Sequence, residues 1–131
     1  MKKWVTFLML LAAVSASGGL LVAHHGTGIS YDMSKTVTLK GTITEIAWRN
    51  PHVSVFIDVK DSNGKVVSWG IENSNVATLA AAGYNRNTLK PGQEVTAIVN
   101  PSRSGANVGV CVKVILADGK ETFVRHGGDN E

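Results

Sequence analysis

Cysteine and aromatic residues are scarce in this chain, and both shortages narrow the possible functions. The 131 residues include one cysteine, Cys111, so no intrachain disulfide can form and a hydrophobic core must stabilise the fold. Aromatic residues make up only 6% of the chain. Glu45, Glu72 and Glu94 are too scattered to indicate a catalytic carboxylate pair, and no nucleophile signature or glycine-rich phosphate loop is recognisable. An enzymatic function is therefore the least favoured class.

Clustered positive charge is also lacking, although the formal net charge of the whole chain is +3. Two of the 13 Lys and Arg residues, Lys2 and Lys3, lie in an N-terminal segment that we expect to be removed, which leaves a net charge of +1. The remaining chain has no run of Lys and Arg interleaved with aromatic residues. The sequence therefore gives no support for a nucleic-acid partner.

The first 23 residues have the layout of a secretory signal peptide: a cationic start, an apolar run and then small residues. Ser and Gly residues at positions 15–19 interrupt the apolar run, which disfavours a permanent membrane helix. Cleavage after Ala23 is favoured over cleavage after Ala16, because it gives a more usual leader length. We therefore expect a periplasmic or secreted protein with no membrane attachment after cleavage.

The rest of the chain is long enough for one small domain with one core. We expect an N-terminal arm at 24–35, a β-barrel domain at 36–125 and a disordered tail at 126–131. Within the barrel segment, alternating apolar residues predict strands at 36–48, 52–60, 66–72, 95–99 and 108–116, with a short sixth at 121–124. A helix-compatible segment at 73–83 follows the third strand and ends at Gly83.

This order of elements predicts a mainly β fold, a small five- to six-stranded Greek-key barrel of the oligomer-binding (OB) type. One short helix lies between strands 3 and 4, as in that barrel. Gly41 in the middle of the first strand predicts a bulge or a sharp coil that helps a small sheet to close. An open β-sandwich is the alternative.

Five short motifs resemble those of a family of small exported bacterial proteins of uncharacterised function. The match covers nearly the whole chain after the leader, and the resemblance implies export and a small β domain but no particular reaction. Where we expect Ser after the paired histidines, this chain has Gly26. The motifs are Ala23-His24-His25, Tyr31-Asp32, Thr38-Leu39-Lys40-Gly41, Trp48-Arg49-Asn50-Pro51-His52-Val53 and Leu89-Lys90-Pro91-Gly92.

Cleavage after Ala23 gives a mature N-terminus of two histidines, His24 and His25, and this points to metal binding. A terminal histidine offers its α-amine and its imidazole to one metal ion, and the α-amino pKa of about 7.7–8.0 allows the proton to leave near neutral pH. Nitrogen-rich tetragonal sites favour Cu(II) or Ni(II), and copper has the highest affinity in the divalent series. His52, at a strand start, is the candidate third ligand, with copper as the expected ion.

The alternative is a module that binds a non-metal small molecule or a periplasmic protein partner. Trp48 and Trp69 lie on neighbouring predicted strands, and barrels of this type bind ligands on the sheet formed by strands 2 and 3. These two tryptophans are the candidate ligand face. Tyr31 and Asp32 are expected to anchor the N-terminal arm to the barrel, and Cys111 is expected to be a buried, inert thiol.

Overall fold

The computed structural model of the chain describes residues 30–125. The expected signal peptide, the histidine pair His24 and His25, and the expected disordered tail at 126–131 lie outside the described residues. Along residues 30–125 the elements are β1 Val37–Ala47, β2 Ser54–Lys60, β3 Val66–Glu72, α1 Val76–Ala81, β4 Glu94–Pro101, β5 Val108–Leu116 and β6 Glu121–Thr122.

The strands form one mixed sheet that closes into a barrel. The strand order is β3-β2-β1-β4-β5-β6, and β3 also pairs with β5 in parallel, which joins the two sides of the sheet. Every other pairing is antiparallel. This is the predicted five-stranded barrel with one extra strand and a short helix between β3 and β4, so the fold prediction is confirmed and the open sandwich is excluded.

Strand β1 is long enough to pair with two neighbours. Gly41 is opposite Val59 of β2 and also opposite Val95 of β4. A Cβ atom at this position would collide with the carbonyl oxygen of Asp58, so only glycine allows β2 to approach this closely. The bulge lies slightly later than predicted, between Ile43 and Glu45, and a sharp coil of the strand at Gly41 stays a prediction.

The turn before β4 is attached to this bulge. The N–H of Gly92 donates to the Ile43 carbonyl at 2.8 Å, and the Ile43 N–H donates to the Gln93 carbonyl at 2.9 Å. Gly92 has a φ of 89°, a left-handed conformation that favours glycine. The segment Leu89-Lys90-Pro91-Gly92 thus has a structural role in holding the start of β4 against β1.

A single hydrophobic core fills the barrel. Ile57 and Ile71 are fully buried, and burial of such side chains stabilises the fold by about 1.5–3 kcal/mol each. The cluster consists of Leu39, Ile43, Val53, Val55, Ile57, Ile71, Leu79, Leu89, Val95, Ala97, Val99, Cys111, Val114 and Phe123.

Helix α1 begins with two side-chain caps and contributes Leu79 to the core. The Asn75 side chain accepts a hydrogen bond from the Thr78 N–H at 2.8 Å, which is the usual N-cap contact. The side chain of Asn50, from the loop between β1 and β2, accepts another from the Val76 N–H at 3.0 Å. Asn50 therefore joins the β1–β2 loop to the first residue of the helix.

The alternation along β5 is broken, which corrects one sequence-based expectation. The sequence predicted Val108, Val110, Val112 and Val114 on one face and Cys111 on the other. A register shift against β4 places Val99 opposite Cys111 but Ile98 opposite Lys113, so Val112 is an extra residue on β5. After this bulge, Val114 joins Cys111 in the core. The prediction that Cys111 is buried is confirmed, with 3% of the residue exposed.

The segment after β6 packs against the barrel. Phe123 is buried, stacks on the Tyr84 ring with centroids 4.9 Å apart, and meets the edge of Trp48. Arg125 donates through Nη2 to Asn100 Oδ1, and the Asn100 amide donates to the Lys35 carbonyl, both at 2.6 Å.

No helix within residues 30–125 has the length and apolar character needed to cross a membrane.

Candidate functional site

The N-terminal arm is attached to the end of β4. The Asp32 N–H donates to the Pro101 carbonyl at 2.8 Å, and the Arg103 N–H donates to the Ser30 carbonyl at 3.0 Å. Tyr31 forms an antiparallel bridge with Ser102 and is buried, with 6% of the residue exposed. The expectation that Tyr31 and Asp32 anchor the arm is confirmed.

Tyr31 also contacts the end of β3. Its hydroxyl lies near the Glu72 carboxylate, and burial, followed by the interaction with Glu72, raises the pKa of Tyr31 well above its usual value of 10.0. Glu72 is half-buried, and it pairs with Ser54 of β2 on one side and Val110 of β5 on the other. The arm is thereby fixed where β2, β3 and β5 meet.

Asp32 organises the turn that follows Tyr31. Its Oδ1 accepts from the Ser34 N–H at 3.2 Å and from the Ser34 hydroxyl at 2.6 Å, and its Oδ2 lies 3.2 Å from Lys35 Nζ. These contacts, first those with Ser34 and then that with Lys35, lower the pKa of Asp32 from 3.8 to about 2. Both carboxylate oxygens are therefore engaged within the arm itself.

His52 lies in the β1–β2 loop, is exposed, and follows the cis Asn50–Pro51 peptide. The next residue, Val53, is fully buried. The Val53 N–H donates to the Ser74 carbonyl at 3.1 Å, and the Asn73 N–H donates to the Val53 carbonyl at 2.8 Å. Because these bonds extend the β2–β3 ladder beyond Ser54 and Glu72, His52 is located next to the end of β3 to which Tyr31 is bound.

The other predicted ligands, His24 and His25, lie outside the described residues. Six residues, 24–29, precede the anchored Ser30, and an extended chain spans about 3.3–3.6 Å per residue. Six residues can therefore reach about 20 Å from the anchored Ser30. Among residues 30–125 no group of three or more His, Cys, Asp or Glu side chains is arranged to hold a metal ion.

The two tryptophans of the predicted ligand face are partly buried and pack against the core. Trp48 lies just after β1 and meets the Phe123 ring edge-on, with centroids 6.4 Å apart. Trp69 is opposite Ile57 in the β2–β3 ladder. A ligand-binding role for Trp48 and Trp69 stays a prediction.

A different aromatic residue, Phe56, is located on the outer side of β2. Its neighbours Val55 and Ile57 are buried in the core, so strand alternation directs Phe56 outwards. Phe56 is opposite Gly70, and a Cβ atom at Gly70 would lie 3.4 Å from both a Phe56 ring carbon and a Val108 methyl group. This apolar surface, formed by Phe56 and Val108, was not identified from the sequence. The alternation of buried residues in 53–59 indicates that Phe56 points outwards.

A cavity of about 450 Å³ lies at the opposite end of β2 and β4 from His52 and Tyr31. Its polar lining includes Lys40 and Lys60 together with Asp58 and Glu94. Charges of both signs are mixed in this cavity. It therefore does not have the uniformly positive lining that an anionic ligand needs.

A model of a family of unknown function, DUF6152, matches residues 11–112. The chain belongs to this family. The match covers the arm, β1 to β4 and the first part of β5, so the candidate residues at the Tyr31 end of the barrel lie within it. No curated protein and no solved structure matches the chain.

Proposed function

We propose that this member of the DUF6152 family is an exported, non-enzymatic binding protein that holds one transition-metal ion at its mature N-terminus. Cleavage after Ala23 delivers the mature chain to the periplasm with His24 as its first residue. His24 supplies its α-amine and imidazole, His25 a second imidazole and His52 a ligand from the barrel. Copper is the favoured ion.

The anchoring of Tyr31 is the observation that carries this proposal. Tyr31 is paired with Ser102 and lies near Glu72, and the exposed His52 lies in the loop next to the same strand end. The six residues before Ser30 can span up to about 20 Å. Anchoring at this end of the barrel thus supports a site that combines the N-terminal histidines with His52.

The donor set favours Cu(II) for chemical reasons. Amine and imidazole nitrogens suit a tetragonal site, and Cu(II) exceeds the other divalent first-row metals in affinity for such donors. Cys111, a soft donor that would favour Cu(I), is buried, and burial raises the pKa of its thiol to about 12. The proposed set of nitrogen donors therefore favours Cu(II).

Titration of the protein beginning at His24 with Cu(II) tests this function. We expect tight 1:1 binding that weakens strongly in His24→Ala and in His52→Ala. A form that begins at Ser17 is the matched control, because it keeps every imidazole but separates the free amine from His24. Tight binding that survives His24→Ala and His52→Ala together contradicts the proposal.

A second candidate function is supported by the outer side of β2 and β3. Phe56 lies against Gly70 and Val108 there, on the part of the barrel with which OB folds bind ligands. A small molecule or a periplasmic protein partner would contact Phe56, with Trp48 and Trp69 as nearby reporters. Quenching of tryptophan fluorescence by such a ligand, together with thermal stability that copper leaves unchanged, favours this function over metal binding.

A further inference from the structure

The cavity of about 450 Å³ at the far end of β2 and β4 from His52 is formed over the middle of β1. Leu39 and Ile43 of β1 are buried in the core, so strand alternation directs Lys40 and Thr42 outwards. Both of these residues line the cavity. The cavity therefore lies on the outer side of the barrel, where its polar lining is accessible to a ligand.

Two carboxylates flank Thr42 in this cavity. Thr42 pairs with Asp58 of β2 on one side and with Glu94 of β4 on the other. Their chain neighbours Ile57 and Val95 are buried in the core, so both carboxylates share the outer side with Thr42. Asp58 and Glu94 thus form an acidic row across three strands, with Thr42 between them.

Two lysines form the next row across the same strands. Lys40 precedes Thr42 by two residues on β1, and Lys60 follows Asp58 by two residues on β2. Two residues of a strand span about 6.4–6.8 Å, so the basic row is separate from the acidic row. None of these four charged side chains forms an ion pair with another residue of 30–125. Both signs of charge are therefore available to a ligand.

Strand β5 adds an apolar wall to the same cavity. Ile115 is partly exposed and pairs with Thr96 of β4, which in turn pairs with Lys40. Leu116 and Ala117 continue this wall. Small-molecule pockets combine apolar walls with a few placed polar groups and have volumes of about 300–1,000 Å³. The cavity thus has the size and the mixed lining of a site for a small molecule.

We propose that this cavity binds a free amino acid with an apolar side chain. The ammonium group of the ligand contacts Asp58 and Glu94. Its carboxylate contacts Lys40 and Lys60, and its side chain lies against the β5 wall. Two acids and two lysines give this lining no net charge, which matches a zwitterion, whereas an ion of one sign would meet two groups of its own sign. The proposal is independent of metal binding, because the cavity and His52 lie at opposite ends of β2.

NMR titration of the exported protein with L-leucine tests this site without any substitution. We expect saturable shifts of the backbone amides at 40–42, 58–60 and 94–96. N-Acetyl-L-leucine lacks the ammonium group and L-leucinamide lacks the carboxylate. A hydrogen bond to a charged group is worth about tenfold in affinity or more, so each of these two compounds should bind at least about tenfold more weakly than leucine.

Charge-neutralising variants assign the two rows. Glu94→Gln and Lys40→Gln should each weaken leucine binding by about tenfold. Glu45→Gln is the matched control, since Glu45 is an exposed carboxylate of β1 that does not line the cavity, and it should keep the parent affinity. The absence of saturable shifts with leucine overturns the proposal. So does binding of N-acetyl-L-leucine or L-leucinamide as tight as that of leucine, or an equal loss of affinity in Glu45→Gln and Glu94→Gln.

Discussion

Tyr31 pairs with Ser102 in an antiparallel bridge, and this contact attaches the N-terminal arm to the end of β4. The backbone bonds of Ser30 and Asp32 to the end of β4 and the following loop act at the same place. Residues 30–32 of the arm are therefore fixed relative to the barrel.

Loss of the Tyr31 hydroxyl should weaken arm docking. The hydroxyl of the buried Tyr31 lies near the Glu72 carboxylate, and a typical hydrogen bond contributes about 0.5–1.5 kcal/mol, so we expect Tyr31→Phe to lower the free energy of unfolding by an amount in that range. Urea denaturation measures this loss, and faster hydrogen exchange of the Asp32 amide locates it. Tyr84→Phe is the control, because its hydroxyl accepts only a long bond of 3.4 Å from the Val124 N–H. Unchanged exchange at Asp32 in Tyr31→Phe contradicts the anchoring role.

The Asn50 side chain should stabilise the helix that follows β3. It accepts a hydrogen bond from the first helical N–H, at Val76, and loss of a capping side chain costs about 0.5–2 kcal/mol. We expect a loss of this size for Asn50→Ala in thermal or urea unfolding. Asn107→Ala, at an exposed loop position, should change stability by less than about 0.5 kcal/mol. Equal stabilities of the two variants would show that the contact with the helix is unimportant.

Two strand glycines should differ sharply in their tolerance of alanine. A Cβ atom at Gly41 collides with the Asp58 backbone, whereas one at Gly70 makes ordinary contacts of 3.4 Å. Overpacking costs about 1–3 kcal/mol, so Gly41→Ala should lose at least this much stability while Gly70→Ala stays close to the parent protein. Denaturant midpoints measured side by side check the difference. A Gly41→Ala protein as stable as Gly70→Ala rules out the close approach of β1 and β2.

The Cys111 thiol should be inert in the folded protein. Its Sγ donates to the Phe123 carbonyl at 3.6 Å, and burial raises its pKa from 9.0 to about 12, slightly offset by the charge of Arg125. Because the folded pKa is raised, this group's stabilising contribution is fully present below pH 9 and is lost as the pH rises towards 12. A thiol reagent at pH 8 should modify Cys111 only in denaturant. Rapid modification of the native protein contradicts this burial.

The fold could be predicted from the sequence because its strands alternate clearly and its turns carry strong signals. Asn63-Gly64, Pro91-Gly92 and the segment 73–83 were enough to give the order of strands and helix. The β5 face was predicted wrongly because the extra residue at Val112 is set by pairing with β4, and a regular valine repeat conceals such a bulge. Phe56 was overlooked, although the alternation that places Val55 and Ile57 in the core directs Phe56 outwards.

The candidate site was predicted only in part. His52 and the anchoring of the arm by Tyr31 came from short motifs, and the structure confirms the anchoring. The proximity of Tyr31 to Glu72 was not visible in the sequence, because the two residues are 41 positions apart and only barrel closure brings β3 and β5 together. The contact of Asn50 was not visible either, since it connects the β1–β2 loop to Val76, the first residue of a helix that is distant along the chain.

We propose that the mature chain begins at His24 and holds copper there. The most direct test is the intact mass of the exported protein under native conditions, with metal content measured on the same sample. We predict a polypeptide of residues 24–131 carrying one copper ion per chain. A chain that begins at Ser17, or a chain that begins at His24 but carries no metal after exposure to copper, contradicts the account.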